Sequence, residues 1–275
     1  MKEVVGMTKV TSRFVGSIPE KYDRHLGPVL FDGYASDLAH RCFSLNPATL
    51  LELAAGTGIV TRKLRDLLPR QTTIMATDLN EPMLEIARSK FETNDNVSFQ
   101  QVDATNLDFD DESFEVVACQ FGVMFFPEKS RSYSEVFRVL KPEGAYIFNV
   151  WDSWAKNEFA EVTHSAVAKL FPADPPGFYK VPFHYHDTDE IRRELSDAGF
   201  RRVDIQHVQL RPSIRSAEDF AEGLVFGNPL SEEIAERGGD PNHIFSEVAA
   251  VIRDEIGPTM SLSAWIIEAT KTAED

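Results

Sequence analysis

The feature that most limits how this chain can fold is a repeated alternation of strand-length apolar runs with segments of helical period between residues 49 and 151. Runs at 49–54, 74–77, 97–102, 114–119 and 145–151 have the length of buried strands, and segments at 59–68, 81–92 and 129–140 carry the apolar spacing of helices. Consecutive strands that run parallel need a crossover, usually a helix, so this rhythm predicts a parallel sheet with helices on both faces. Pro69 closes the first helix, and Lys141-Pro142-Glu143-Gly144 reads as a turn before the fifth strand.

After residue 151 the rhythm breaks. A helix is expected at 157–171, then a Pro- and aromatic-rich connector to 186, a helix at 187–198 and a strand near 203–210. Residues 216–256 read as mostly helical and 260–270 as a last strand. Two late strands separated by a long helical stretch predict a sheet edge whose connection has grown into a cap. Residues 1–48 precede the first strand and carry Tyr22, Phe31 and Tyr34 at irregular spacing. A chain of 275 residues suits one such domain with a large insertion.

Charge and cysteine content narrow the partners. With 28 basic and 44 acidic residues the formal net charge is −16, which argues against nucleic acid or an anionic membrane surface, since phosphate binding needs a basic footprint. The two cysteines, Cys42 and Cys119, are far apart and form no metal-binding or disulfide pattern. No stretch approaches the length of a membrane span and the N-terminus has no apolar leader core, so a cytoplasmic monomer or homodimer is expected, without membrane insertion.

The first strand runs into Ala55-Gly56-Thr57-Gly58 and then a helix. In open α/β sheets ligands bind at the carboxyl ends of the strands, where this turn lies, and glycines let backbone approach a ligand closely. A P-loop is excluded, because no Gly-Lys-Ser/Thr follows. In a dinucleotide fingerprint Thr61 would occupy the third small position. Asp78 ends the second strand, placed to accept both hydroxyls of a ribose, and Asp103 ends the third, placed to accept from an adenine amino group. Glu52 lies just before the turn. Three carboxylates suit a cation better than a pyrophosphate. S-adenosylmethionine joins adenosine to a sulfonium and an ammonium and has no phosphate.

On these residues the chain resembles a known family. Glu52 to Gly58 (ELAAGTG), Thr77 to Leu84 (TDLNEPML), Val102 to Ala104 (VDA) and residues 114 to 148 look like the successive cofactor motifs of class I S-adenosylmethionine-dependent methyltransferases. The subgroup resembled is that of quinone-biosynthesis C-methyltransferases and small-molecule O-methyltransferases. The resemblance implies a Rossmann-like, seven-stranded, mostly parallel sheet whose last strand is antiparallel, with a helical cap from late insertions. It implies an N-terminal helical segment (1–48) closing over the cofactor, a cofactor-binding core (49–151), and a remainder (152–275) that completes the sheet and carries acceptor-binding insertions near 152–186 and 216–256. By position, the resemblance implies that Glu52 would organise water and the methionine ammonium, and that the backbone of Ala54, Gly56, Thr57 and Gly58 would run along the ligand. It likewise implies that Asp78 would clamp the ribose, Leu79 and Met83 pack on the adenine, Asp103 and the Ala104 amide read its edge, Gln120 face the methionine end and Tyr22 close over. One departure is Ala54, where the family usually has Gly; alanine is tolerable there if its φ stays negative.

Methyl transfer is a displacement at an already activated carbon, so positioning and exclusion of water dominate and no catalytic triad is expected. The transfer expected is to oxygen or carbon of a small, partly apolar acceptor; the alternatives are a non-catalytic S-adenosylmethionine-binding protein and an NAD-dependent oxidoreductase. Candidates for a base are His184 and His186, which would point the same way if Phe183–Asp187 were a strand, and His164 on the 157–171 helix. No metal is expected. Aromatic density suggests Trp151, Trp154, Phe159, Phe178, Tyr179, Phe183 and Tyr185 as the acceptor wall.

Overall fold

The computed structural model describes residues 14–273. Seven strands form one sheet in the order β3-β2-β1-β4-β5-β7-β6. They are β1 (Thr49–Leu53), β2 (Thr73–Asp78), β3 (Val97–Gln101), β4 (Phe114–Gln120), β5 (Leu140–Trp151), β6 (Arg202–Leu210) and β7 (Leu262–Thr270). The first five pair in parallel, and β7 inserts antiparallel between β5 and β6. The expected architecture, last strand included, is therefore what forms.

Position in the sheet explains strand composition. Central β1 has Leu50, Leu51 and Leu53 buried, a continuous apolar run as a strand covered on both faces requires. Edge strand β6 alternates exposed and half-buried residues. The expected turn at 141–144 is instead a bulge inside β5. Pairing with β4 jumps from Phe114 opposite Leu140 to Val116 opposite Ala145, and Glu143 absorbs the excess at φ 63°. The end of β7 pins it, with Glu143 N donating to Lys271 O and Lys271 N to Gly144 O.

Around the sheet lie α1 (Ile18–Lys21), a π-helix (Tyr22–Phe31), α2 (Asp32–Ser44), α3 (Ile59–Leu67), α4 (Glu81–Arg88), α5 (Lys129–Val139), α6 (Glu158–Leu170), α7 (Thr188–Asp197), α8 (Ala217–Phe226), α9 (Leu230–Glu236) and α10 (Pro241–Val251). The π-helix has a local cause: Pro28 has no N–H to continue an α-helical ladder, and the Asp32 N–H reaches back five residues to Gly27 O. Side-chain caps set three cap-region starts: Asp187 for α7, Ser216 for α8 and Asp240 for α10. Helix α8 packs on α10 and on the π-helix, so the late insertion and the N-terminal segment meet over the carboxyl ends of the central strands. No helix among the described residues is long and apolar enough to cross a membrane.

Candidate active site

The turn after β1 is built by backbone geometry. Gly56 and Gly58 take φ of 55° and 79°, which glycine adopts freely. Ala54 takes φ 51°, against the expectation that it stays negative; an L-residue there costs roughly 1–2 kcal/mol. Gly58 does not face the cavity. A Cβ there would lie 2.9 Å from Ala87 Cβ, so this glycine lets α4 close against the turn.

A cavity of about 210 Å³ opens beside this turn and continues beneath the cap. At the sheet end it is lined by Tyr22, Ala54, Gly56, Asp78, Leu79, Met83, Asp103, Ala104 and Gln120, and a smaller adjoining compartment is lined by Tyr22, Glu52, Ala54, Gly56, Thr57 and Gln120. Except for Gly58, every expected cofactor residue thus lines one of these two adjoining compartments. Asp78 Oδ2 accepts from Gly56 N at 2.9 Å and Oδ1 from Asn80 N at 2.8 Å. Burial raises its pKa, and these amides offset only part of the rise. Asp103 Oδ1 accepts from Thr105 N and Oγ1, both at 2.8 Å, which fixes the carboxylate at the cavity rim.

The adjoining compartment holds two acceptors without donors. Glu52 is only 1% exposed, and neither its Oε2 nor Gln120 Oε1 has a hydrogen-bond partner among the described residues. Thr61 lies beside the carboxyl, yet its Oγ1 is likewise unpartnered. Burial, with Asp78 adding and Thr61 partly offsetting, pushes the Glu52 carboxyl up to about 8. Two buried acceptors without a donor suit a cationic, N–H-bearing group.

Beneath the cap the cavity turns aromatic. Trp151, Phe159, Phe178, Tyr179 and Phe183 line it as expected. The sequence reading missed Phe31, Phe121 and Asn228, which line it too. Phe121 and Trp151 stack at 3.9 Å, with the Tyr34 ring edge-on to both. Phe121 is in the left-handed region at φ 48°, held by Asn149, whose Oδ1 accepts its N–H at 2.8 Å. Such strain at a cavity wall is typical of sites where side-chain direction matters. The polar groups of this half satisfy each other: Tyr179 Oη donates to Leu224 O at 2.8 Å, and Asn228 Nδ2 donates to Leu224 O and Tyr179 Oη.

Other candidates lie elsewhere. Trp154 is half-buried against His164, with ring centroids 5.0 Å apart, and neither lines the cavity. Tyr185 is held away by its own network: its hydroxyl meets Tyr133 Oη at 2.9 Å and donates to Glu194 at 2.5 Å. Residues 183–187 form a turn and loop rather than a strand. His184 and His186 each bond the carbonyl three residues back, so they do not converge as a base or a metal site. Asp152, Ser263 and His207 come together at the β5-β7-β6 edge, but one nitrogen, His207 Nε2, faces both Ser263 Oγ (2.7 Å) and Asp152 Oδ2 (3.3 Å). A hydrolytic triad needs the two ring nitrogens on different partners, so this group ties strands together.

The N-terminal segment is latched over the cavity at two places. Thr57 Oγ1 donates to Asp23 at 2.6 Å, and Lys90 pairs with the same carboxylate at 2.5 Å. Toward the cap, Lys21 pairs with Glu222, and the buried His25 ring lies 3.9 Å from Asp219 and 3.8 Å from Glu222.

The chain is similar to known methyltransferases in sequence and in fold. Residues 50–144 match the family described as "Methyltransferase domain". The ubiquinone/menaquinone biosynthesis C-methyltransferase of Wigglesworthia glossinidia brevipalpis is 32% identical over 145 residues, which are 51% of this chain and 54% of that protein. The chain therefore spans about half the length of that relative. Among solved structures, the YcgJ protein of Bacillus subtilis superposes with a TM-score of 0.57 at 18% identity, covering 88% of this chain and all of that one. A Haemonchus contortus phosphoethanolamine N-methyltransferase, solved with phosphomonomethylethanolamine and S-adenosylhomocysteine, gives 0.53 at 15% identity, covering 82% of this chain and 49% of that one.

Proposed function

We propose that the chain, whose residues 50–144 match a methyltransferase domain, is a class I S-adenosylmethionine-dependent methyltransferase that transfers a methyl group to oxygen or carbon of a small, largely apolar acceptor held under its cap. The carrying observation is one cavity that runs from Asp78 and Asp103 to the Trp151–Phe121 wall, with the Glu52 compartment adjoining it through shared lining residues. Glu52 and Gln120 receive the ammonium of the cofactor, and the backbone of Ala54 to Thr57 lies along its methionine portion. Asp78 accepts from the ribose hydroxyls, Leu79 and Met83 pack on the adenine, and Asp103 with the Ala104 amide reads its edge. Tyr22 closes the site from the N-terminal segment. Bound there, S-adenosylmethionine supplies an electrophilic methyl group.

What the chain adds on the acceptor side is position and dryness. Phe31, Phe121, Trp151, Phe159, Phe178 and Phe183 exclude water and orient a flat apolar molecule. Among the described residues no Lys, Arg or His lines the cavity, and its carboxylates are at the cofactor end. Burial raises the Tyr179 hydroxyl well above its ordinary pKa, which keeps it protonated. Acceptors without charge, or with a nucleophile that needs no base from these walls, match this lining. The test is transfer of labelled methyl from S-adenosylmethionine to phenols, quinols, fatty acids and amines. Methylation confined to apolar ring acceptors supports the reading. Preference for charged aliphatic acceptors overturns the acceptor assignment, and tight cofactor binding without transfer to any acceptor supports a non-catalytic binding protein.

A further inference from the structure

We propose that cofactor binding is proton-linked: Glu52 carries a proton in the ligand-free protein and releases it to solvent when the ligand's ammonium group docks between its carboxyl and the Gln120 side-chain carbonyl. This rests on the reading of the cavity as the S-adenosylmethionine site. The geometry is that of a buried carboxyl with no cation beside it, where Thr61 alone offsets part of the cost of burial and Oε2 stays without a donor. Glu52 is 1% exposed, and its Oε2 has no hydrogen-bond partner among the described residues. The titratable groups that face it are Asp78 from β2, Cys42 from α2, Cys119 from β4 and Tyr22 from the π-helix. None is a cation at neutral pH. Among the described residues no Lys, Arg or His lines either compartment. Burial raises both thiols, Cys119 to about 12, so they stay neutral. A carboxylate in this setting is disfavoured by desolvation and by Asp78, which agrees with the raised Glu52 pKa.

An ammonium group reverses the balance, because an opposite charge within a few ångströms favours the ionised acid. The carboxyl O–H bond breaks, the proton passes to solvent buffer, and the carboxylate pairs with the ammonium. Below the ligand-free pKa, affinity then gains with pH in proportion to the protons released.

The experiment is calorimetric titration of the full chain with S-adenosylhomocysteine at pH 7, in buffers of low and high ionisation enthalpy, for the wild type and Glu52→Gln. For the wild type the heat should vary with buffer in the amount that corresponds to release of about one proton, and affinity should rise nearly tenfold from pH 6 to pH 7. In Glu52→Gln, the uncharged isostere, the buffer-dependent heat should vanish. The ligand's own amino group, protonated at pH 7, contributes equally to both proteins. Normal wild-type binding with buffer-independent heat overturns the proposal and leaves the cofactor reading standing, as does equal proton release by both proteins. If Glu52→Gln fails to bind, the wild-type buffer dependence and pH slope decide alone. Absence of wild-type binding at every pH overturns the cofactor reading and the proposal with it.

Discussion

Single residues decide the site through backbone conformation and charge as much as through side-chain identity. Ala54 occupies the left-handed region in the turn after β1, with its Cβ against Gly122. Replacement by glycine removes that strain, so Ala54→Gly is expected to be more stable by about 1 kcal/mol, measured by urea unfolding; equal or lower stability would show that the alanine methyl contributes more packing than its conformation costs. Glu52 has a folded-state pKa above its unfolded one. Between the unfolded value near 4.5 and the folded value near 8 the native state keeps a proton that the unfolded state has lost, so this group lowers stability as pH rises. Thermal unfolding of the ligand-free protein from pH 5 to pH 8 should therefore show a smaller loss for Glu52→Gln than for the wild type. Parallel pH profiles would place the Glu52 pKa near its ordinary value.

At the scale of elements, the N-terminal helices act as the cover of the cavity, and Asp23 is the fastening shared by Thr57 and Lys90. Asp23→Ala is expected to weaken S-adenosylhomocysteine binding severalfold and to expose the Tyr22–Phe31 helix to proteolysis, with the sheet core intact by circular dichroism. Unchanged affinity would mean that this latch does not hold the site closed. The sheet itself was legible in the sequence because buried parallel strands write themselves as apolar runs such as TLLEL, and the crossover helices as amphipathic segments between them. Corrections fall where tertiary contact overrides local signal. Lys141–Gly144 is turn-like in composition, but the end of β7 captures its backbone and turns it into a bulge. Tyr185 looked like part of the acceptor wall, but a hydroxyl network with Tyr133 and Glu194 draws it away. Aromatic density in a connector shows that rings are available and not which way they point. Phe121 was missed for the complementary reason: its aim comes from a left-handed backbone and an Asn149 hydrogen bond, and neither is written in the residue type.

The whole molecule brings one cavity together from three stretches of chain: the N-terminal segment, the strand ends of the core, and the late insertions. This division predicts separable effects. Phe178→Ala, in the insertion and buried, is expected to raise the acceptor KM tenfold or more and to leave S-adenosylhomocysteine affinity within about twofold, since additivity holds for groups that share no partner. A parallel loss of both affinities would show that the cap and the cofactor end do not act independently. The cofactor assignment underlies all of these expectations, and one measurement addresses it directly: calorimetric titration of the wild type and Asp78→Asn with S-adenosylhomocysteine, with NADH as the competing ligand. The account predicts wild-type binding, at least a tenfold weaker constant for Asp78→Asn from loss of charge-assisted hydrogen bonds to the ribose (about 1.4 kcal/mol or more), and no binding of NADH. Binding of NADH alone, or S-adenosylhomocysteine binding indifferent to Asp78, would contradict it.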